Sequence, residues 1–359
     1  MAYLLLLTLG AIDAAGYGVM APVVPEIAAA TSASPAGTGA LVAMLPLGML
    51  AGFLAAGAAV VRVAPKVVIL AGLALVVIGS LGFVLADGIE GYFGARLLMG
   101  AGSGGLWIGI TFETLTRWPG DAYVCMSRIF AAYSAGGLIG PALGAIDGIT
   151  GPFLAYATLG ASTAIPVALL LDTGPAGRFT RDRDALRSPG FRLASAAILF
   201  AVLGLGIVEG VLPLRLAVEL DQAEIAVVYG GVALLVVAVA AGAARLSPRT
   251  DVIAAAVLIT GGLSVAGGVE DVCVWLGALF VVGAGIGLGN TGSIGVLLDA
   301  VPSDRIVSAM VVWSQIGIAG YLLGPLVGGA VVEVLGFGAL GLLPLGAGVA
   351  LLVAVRRTA

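Results

Sequence analysis

Twelve apolar stretches of about 20 residues each, set between short polar intervals, constrain this chain more than any other feature. They run over 3–27, 37–61, 66–86, 91–115, 126–147, 152–172, 193–214, 223–244, 250–268, 272–298, 305–332 and 335–355. Each suits a membrane-crossing helix, whereas a membrane β-barrel is built from alternating strands of about 10 residues. Charged residues make up 10% of the 359, hydrophobic ones 60%, and the mean hydropathy is +1.17. A soluble domain carries about a quarter charged residues. One globule in water cannot cover this much apolar surface, so the expected fold class is an all-α membrane protein of twelve transmembrane helices. The first stretch lacks a positive leader and contains Asp13, so it is expected to be a retained helix rather than a cleaved signal.

Arginine and lysine orient the helices. With the N-terminus inside, fourteen of the sixteen fall on the cytoplasmic side, Arg215 falls outside and Arg96 lies within a span. Both termini are therefore expected in the cytoplasm, with the chain a multi-pass protein of the cell's inner (plasma) membrane. The net charge of −4 and the lack of a basic stripe give nucleic acid nothing to bind. Histidine is absent, and Cys125 and Cys273 have no metal-ligand company, so neither a metal nor a cofactor is expected. The single lysine, Lys66, sits in no phosphate-binding loop, so ATP is not the direct energy source.

The longest polar interval, 173–192, divides the chain into an N-terminal six-helix bundle at 1–172 and a C-terminal one at 193–359. These halves repeat. Gly94, Ala95, Gly100, Ala101, Gly102 and Gly104 match Gly277, Ala278, Gly283, Ala284, Gly285 and Gly287 at a constant offset of 183. Pro119 and Asp121 match Pro302 and Asp304 at the same offset. Paired bundles of this kind are the signature of transporters that alternate access around a midplane site.

Small residues recur every fourth position at Gly136, Gly140 and Gly144, on one helix face where another backbone can approach closely. Pro141 removes a backbone donor there and predicts a kink. Gly320, Gly324, Pro325 and Gly328 form a near copy in the second half. Each stretch is expected to pack across the boundary between halves as a hinge and seal.

These residues resemble the major facilitator superfamily. The Gly136–Gly144 stretch is similar to the antiporter motif of its fifth helix. Gly57, Arg62 and Lys66 match three positions of its loop between helices two and three, where Val61 replaces the usual aspartate and Pro65 the second arginine. Arg96 and Gly100 are similar to its Arg-x-x-x-Gly motif, linked in the family to proton transfer. Helix one, from Leu9 to Pro25, resembles that of drug:proton antiporters, the tetracycline exporters in particular. The resemblance implies a monomeric secondary transporter with two pseudo-symmetric six-helix bundles. It also implies a cytoplasmic gate in which Glu113 pairs with the Gly57–Lys66 loop through Arg62, with Asp299 in a similar place.

An ionised side chain at mid-bilayer costs about 2.5 kcal/mol or more, so buried charges are the first site candidates. Asp13, about ten residues into helix one, falls near the midplane. Together with Arg96 and Glu209 it forms the proposed proton-coupling set. Each has a structural alternative: a packing hydrogen bond, a clamp on backbone carbonyls and a rim carboxylate, respectively. Tyr17, Trp107, Asn290, Trp313 and Gln315 are candidates for the substrate cavity, and Asp147 and Glu333 are expected to be solvated at span ends. Proton-driven export of a small lipophilic drug or metabolite is the expected function. An importer or facilitator on the same fold, and a non-transporting sensor or scaffold, are the alternatives. An enzyme is not expected, for want of any catalytic constellation.

Overall fold

A computed structural model describes residues 1–118, 120–172, 185–243, 247–302 and 305–358. All regular structure among them is helical: α1 Ala2–Gly18, α2 Met20–Thr31, α3 Pro35–Ala59, α4 Pro65–Leu85, α5 Ile89–Arg117, α6 Ala122–Gly136, α7 Ile139–Gly144 and α8 Thr150–Leu170. The second half follows with α9 Pro189–Gly210, α10 Leu212–Leu216, α11 Gln222–Ala243, α12 Pro248–Gly268, α13 Val272–Ala300, α14 Ile306–Leu335 and α15 Leu342–Thr358. Most of the 173–192 interval lies outside the described residues, as does Arg245.

Ten helical segments among the described residues are long and apolar enough to cross a membrane. The two remaining stretches are helical for different reasons. Helix α5 is 29 residues long, about 44 Å at 1.5 Å per residue, but carries Glu90, Arg96, Glu113 and Arg117. The fifth stretch is divided into α6 and α7, and the break falls at Gly137 and Leu138 rather than at Pro141 itself. Pro141 has no N–H for the carbonyl of Gly137, four residues before it. The chain tightens there into three-residue bonds, Gly137 N to Ser134 O at 3.3 Å and Leu138 N to Ala135 O at 3.2 Å. Helix one has the same device, unforeseen in the sequence. Pro22 denies a partner to the carbonyl of Gly18, and the helix is interrupted at Val19 between α1 and α2. Pro325, by contrast, sits inside an unbroken α14.

The described residues form two compact units. The first comprises Met1–Ala33, Met44–Phe179 and Asp221–Gly230; the second comprises Ser34–Ala43, Thr180–Leu220 and Gly231–Ala359. Within the first unit α4 packs on α5 and α8, and α1 packs on α5, α6 and α8. Within the second, α12 packs on α13 and α15, and α9 packs on α13, α14 and α15. The pairing of helices is the same in both, as the offset of 183 requires if the repeat is structural.

Glycine makes these approaches possible. A Cβ at Gly102 would lie 2.7 Å from Val76 N, and one at Gly285 would lie 3.1 Å from Ile259 N, the equivalent α4–α5 and α12–α13 contacts. The two glycine-proline stretches pack against the first helix of their own half, and each also meets the other half of the sequence: Gly329 lies on Pro35 and Ala36 at the start of α3, Gly39 lies on Pro325, and Gln222 of α11 donates to the carbonyl of Gly144. Gly136 lies on Ala11, Gly140 on Ala15 and Gly18, and Gly144 on Val19 and Pro22. In the second unit Gly320 lies on Leu199, and Gly324 lies on Leu203 and Gly206. With no Cβ on the glycine side these backbones reach van der Waals contact, and that close dispersion packing replaces the hydrophobic drive that lipid cannot supply.

Candidate functional site

The polar groups of the first unit converge where α1, α5 and α6 meet. Asp13 is 1% exposed, and its Oδ2 accepts a hydrogen bond from Trp107 Nε1 at 2.8 Å. The Ser103 hydroxyl, also buried on α5, acts on the same carboxylate. Arg96, fully buried, donates from Nη1 to the carbonyl of Gly16 at 2.8 Å. Both charges act on Tyr17 and Tyr156, so the four groups share one electrostatic neighbourhood. The Tyr17 hydroxyl bonds Met49 Sδ. Gly16 leaves room for the Tyr156 ring, whose Cζ would lie 2.8 Å from a Cβ at that position.

An aromatic wall completes the group. Trp107 stacks on Phe130 at 5.0 Å and meets Tyr133 edge-on at 5.3 Å, and Tyr133 meets Tyr17 edge-on at 5.9 Å. Such ring pairs contribute about 0.5–1.5 kcal/mol beyond their buried area and hold the Trp107 donor in place. The site lies beside two interrupted helices, since Gly18 of α1 meets Pro141 and Gly137 at the α6–α7 break. Broken helices expose backbone carbonyls inside a bundle, and transporters place their ligand sites at such points.

Sequence reasoning had singled out Asp13, Tyr17, Arg96 and Trp107 separately, and the structure brings them together. It missed Tyr133, Phe130, Ser103 and Tyr156. Tyr133 was accessible to it: three residues before Gly136, it shares the face that the glycines turn toward α1. Tyr156 was not, because nothing in the sequence reports which helix lies over Gly16.

In the second unit Glu209 is 7% exposed and accepts a hydrogen bond from the Tyr321 hydroxyl, inside the second glycine-proline stretch. Glu209 is therefore held in the bundle rather than snorkelling at a rim. Asn290 and Gln315 are half-buried and Trp313 is buried in the same unit. Asn290 Oδ1 and Trp313 Nε1 have no partner among the described residues. A second buried acid, Asp251 in the first turn of α12, went unnoticed in sequence because it stands at a span end.

The expected cytoplasmic gate is not formed as drawn. Glu113, fully buried, pairs with Arg117 one turn along its own helix, and Arg117 also reaches Asp172 at 3.7 Å. Arg62 is exposed and makes no ion pair among the described residues. With Val61 in place of the family's aspartate, nothing in the loop draws Arg62 inward, and an (i, i+4) arginine is the nearer partner for Glu113. Lys66 donates to the carbonyl of Ala168 at 2.7 Å, and a side chain at Gly57 would meet open space. Asp299 and Asp147 are exposed. Glu333 is exposed as expected, and it also accepts from Ser34 Oγ at 2.6 Å and Ala36 N at 3.0 Å, capping the start of α3.

Two helical units with the same helix pairing fit a transporter rather than an enzyme. The sequence profile of the Major Facilitator Superfamily matches residues 6–269, and the chain belongs to that family. No curated protein matches it by sequence. Its fold is similar to that of a POT family transporter solved with a thioalcohol-conjugated peptide, at 13% identity and a TM-score of 0.76 over 99% of this chain and 96% of that one. It is also similar to a mutant of the nucleoside transporter NupG, at 15% identity and a TM-score of 0.71 over 99% of each chain. The human organic anion transporter MFSD10 (TETRAN) aligns at 16% identity and a TM-score of 0.67 over 99% of this chain and 98% of that one.

Proposed function

We propose that this transporter exports a small lipophilic drug or metabolite in exchange for protons, by alternating access. One observation carries the reading: Asp13, buried at 1% exposure inside the first unit, is held by neutral donors, Trp107 and Ser103. A carboxylate so placed is costly to keep charged and easily neutralised by a proton, so its protonation state is sensitive to which side of the membrane reaches it. Arg96 supplies a fixed positive charge in the same cluster, held on the Gly16 carbonyl, and Glu209 with Tyr321 is the corresponding acid of the second half. Tyr17, Trp107, Asn290, Trp313 and Gln315 line the substrate path. The apolar and aromatic surroundings favour a solute with few charges. The proteins of similar fold are named for a peptide, nucleosides and organic anions, which supports an organic solute without choosing among them. The chain acts as a monomer, both termini lie in the cytoplasm, and six-helix halves at 1–172 and 193–359 rock against each other.

The test is substrate-dependent proton movement in proteoliposomes under an imposed pH gradient, with a panel of lipophilic antibiotics including tetracycline as probes. At least one probe is expected to move protons, and Asp13→Asn to lower that flux at least tenfold, a loss of about 1.4 kcal/mol or more. The reading fails if no probe moves protons or if the Asn variant matches the parent. Downhill uptake insensitive to pH would establish a facilitator instead.

A further inference from the structure

An apolar cavity of about 370 Å³ lies in the first unit, away from the Asp13 cluster, between α3, α4 and α5. Alanine, glycine, valine and leucine alone line it, with Ala51, Ala55 and Ala59 on α3 and Val67 and Ala71 on α4. Its mouth faces outward: Ala51, Ala55, Val67 and Ala71 are all exposed, and so is the neighbouring Leu54. In a membrane protein that surface meets hydrocarbon. The cavity ends at Val63 and Val67, next in sequence to Arg62 and Lys66.

The charge at that end is unbalanced. The turn from Val60 to Val67 carries two cations and no acid. Glu113, the expected counter-ion, is taken by Arg117. Lys66 spends one donor on Ala168 O and has two more, while the five donors of the Arg62 guanidinium are exposed. An apolar slot with cations at one end matches one kind of molecule in its surroundings, an acyl chain that ends in a phosphate. Basic pockets between membrane helices on the cytoplasmic side bind anionic headgroups in this way.

We propose that this cavity is a binding site for one anionic phospholipid, with an acyl chain between α3, α4 and α5 and its phosphate on Arg62 and Lys66. The site is independent of the transport reading and holds whatever the solute is.

The full chain, purified in a non-ionic detergent, is titrated with dioleoyl phosphatidylglycerol or dioleoyl phosphatidylcholine, and retained lipid is counted by native mass spectrometry. One phosphatidylglycerol is expected to be held about tenfold more tightly than phosphatidylcholine. Arg62→Gln should remove that preference and Arg62→Lys should keep it. Ala55→Phe, a substitution at an exposed position that fills the slot, should abolish retention of the bound copy while circular dichroism shows an unchanged helical content. Glycerol phosphate, which has the headgroup charge but no chain, should not displace it. Equal retention of both lipids, an unchanged Arg62→Gln or Ala55→Phe protein, or displacement by glycerol phosphate would each overturn the proposal.

Discussion

The buried Asp13 carboxylate is the group proposed to exchange protons, and the hydrogen bond from Trp107 stabilises its charged form. Hydrogen bonds to charged groups contribute about 1.5–3 kcal/mol. Trp107→Phe keeps a ring stacked on Phe130 and edge-on to Tyr133 but removes the donor to Asp13. Its proton-coupled exchange should fall about tenfold with the folded protein intact, as read in the same proteoliposomes. Arg96→Lys is the sharper case. Lysine keeps the charge but loses the planar donor set that reaches Gly16, so the conservative change should not rescue transport. Full activity in that variant would make Arg96 a point charge and nothing more.

Helices one and five of the first half are interrupted at Val19, three residues before Pro22, and at Gly137, four before Pro141, and the interruptions meet. Gly18 and Gly140 lie there with their backbones in contact, and a Cβ at Gly140 would come 2.7 Å from Ala15 O. Gly140→Leu therefore overpacks a backbone crossing, at about 1–3 kcal/mol. The measurement is a thermal-shift assay of the purified protein, in which the variant should melt several degrees lower. Gly57→Ala, where a side chain meets open space, should melt with the parent. Equal melting of both variants would show that the crossing is not held by close approach. The stretch at Gly136–Gly144 is thus a packing surface against α1, interrupted just before Pro141. Gln222 at the start of α11 reinforces that region, donating to the carbonyls of Gly144 and Ile146 at 2.9 Å each.

For the molecule, the proposed orientation has a direct test in its two cysteines. Cys273 is exposed at the start of α13, the tenth span, and Cys125 is buried at the start of α6, the fifth. With both termini inside, the tenth span begins at the outer face. A membrane-impermeant maleimide should label Cys273 on intact cells and spare Cys125. Labelling of Cys273 only after the cells are opened would reverse the orientation.

The repeat, the helical class and the identities of the buried charges were legible in the sequence. Apolar length, charge placement and the offset of 183 are properties of the covalent chain, and the bilayer enforces them because no backbone polar group can be left unpaired in hydrocarbon. Asp13 and Arg96 stood out for the same reason, as charges where lipid penalises charge. What they touch was not legible. Trp107 comes to Asp13, Tyr321 to Glu209 and Arg117 to Glu113 through the rotation of each helix about its axis, which one apolar stretch does not reveal when nearly all its faces are apolar. That the first helix of each half also lies on the glycine faces was not foreseen, on the same ground. Small-residue spacing says that another backbone comes close, but only the packed bundle decides which one, since dispersion contacts between helices in lipid carry no label in the sequence.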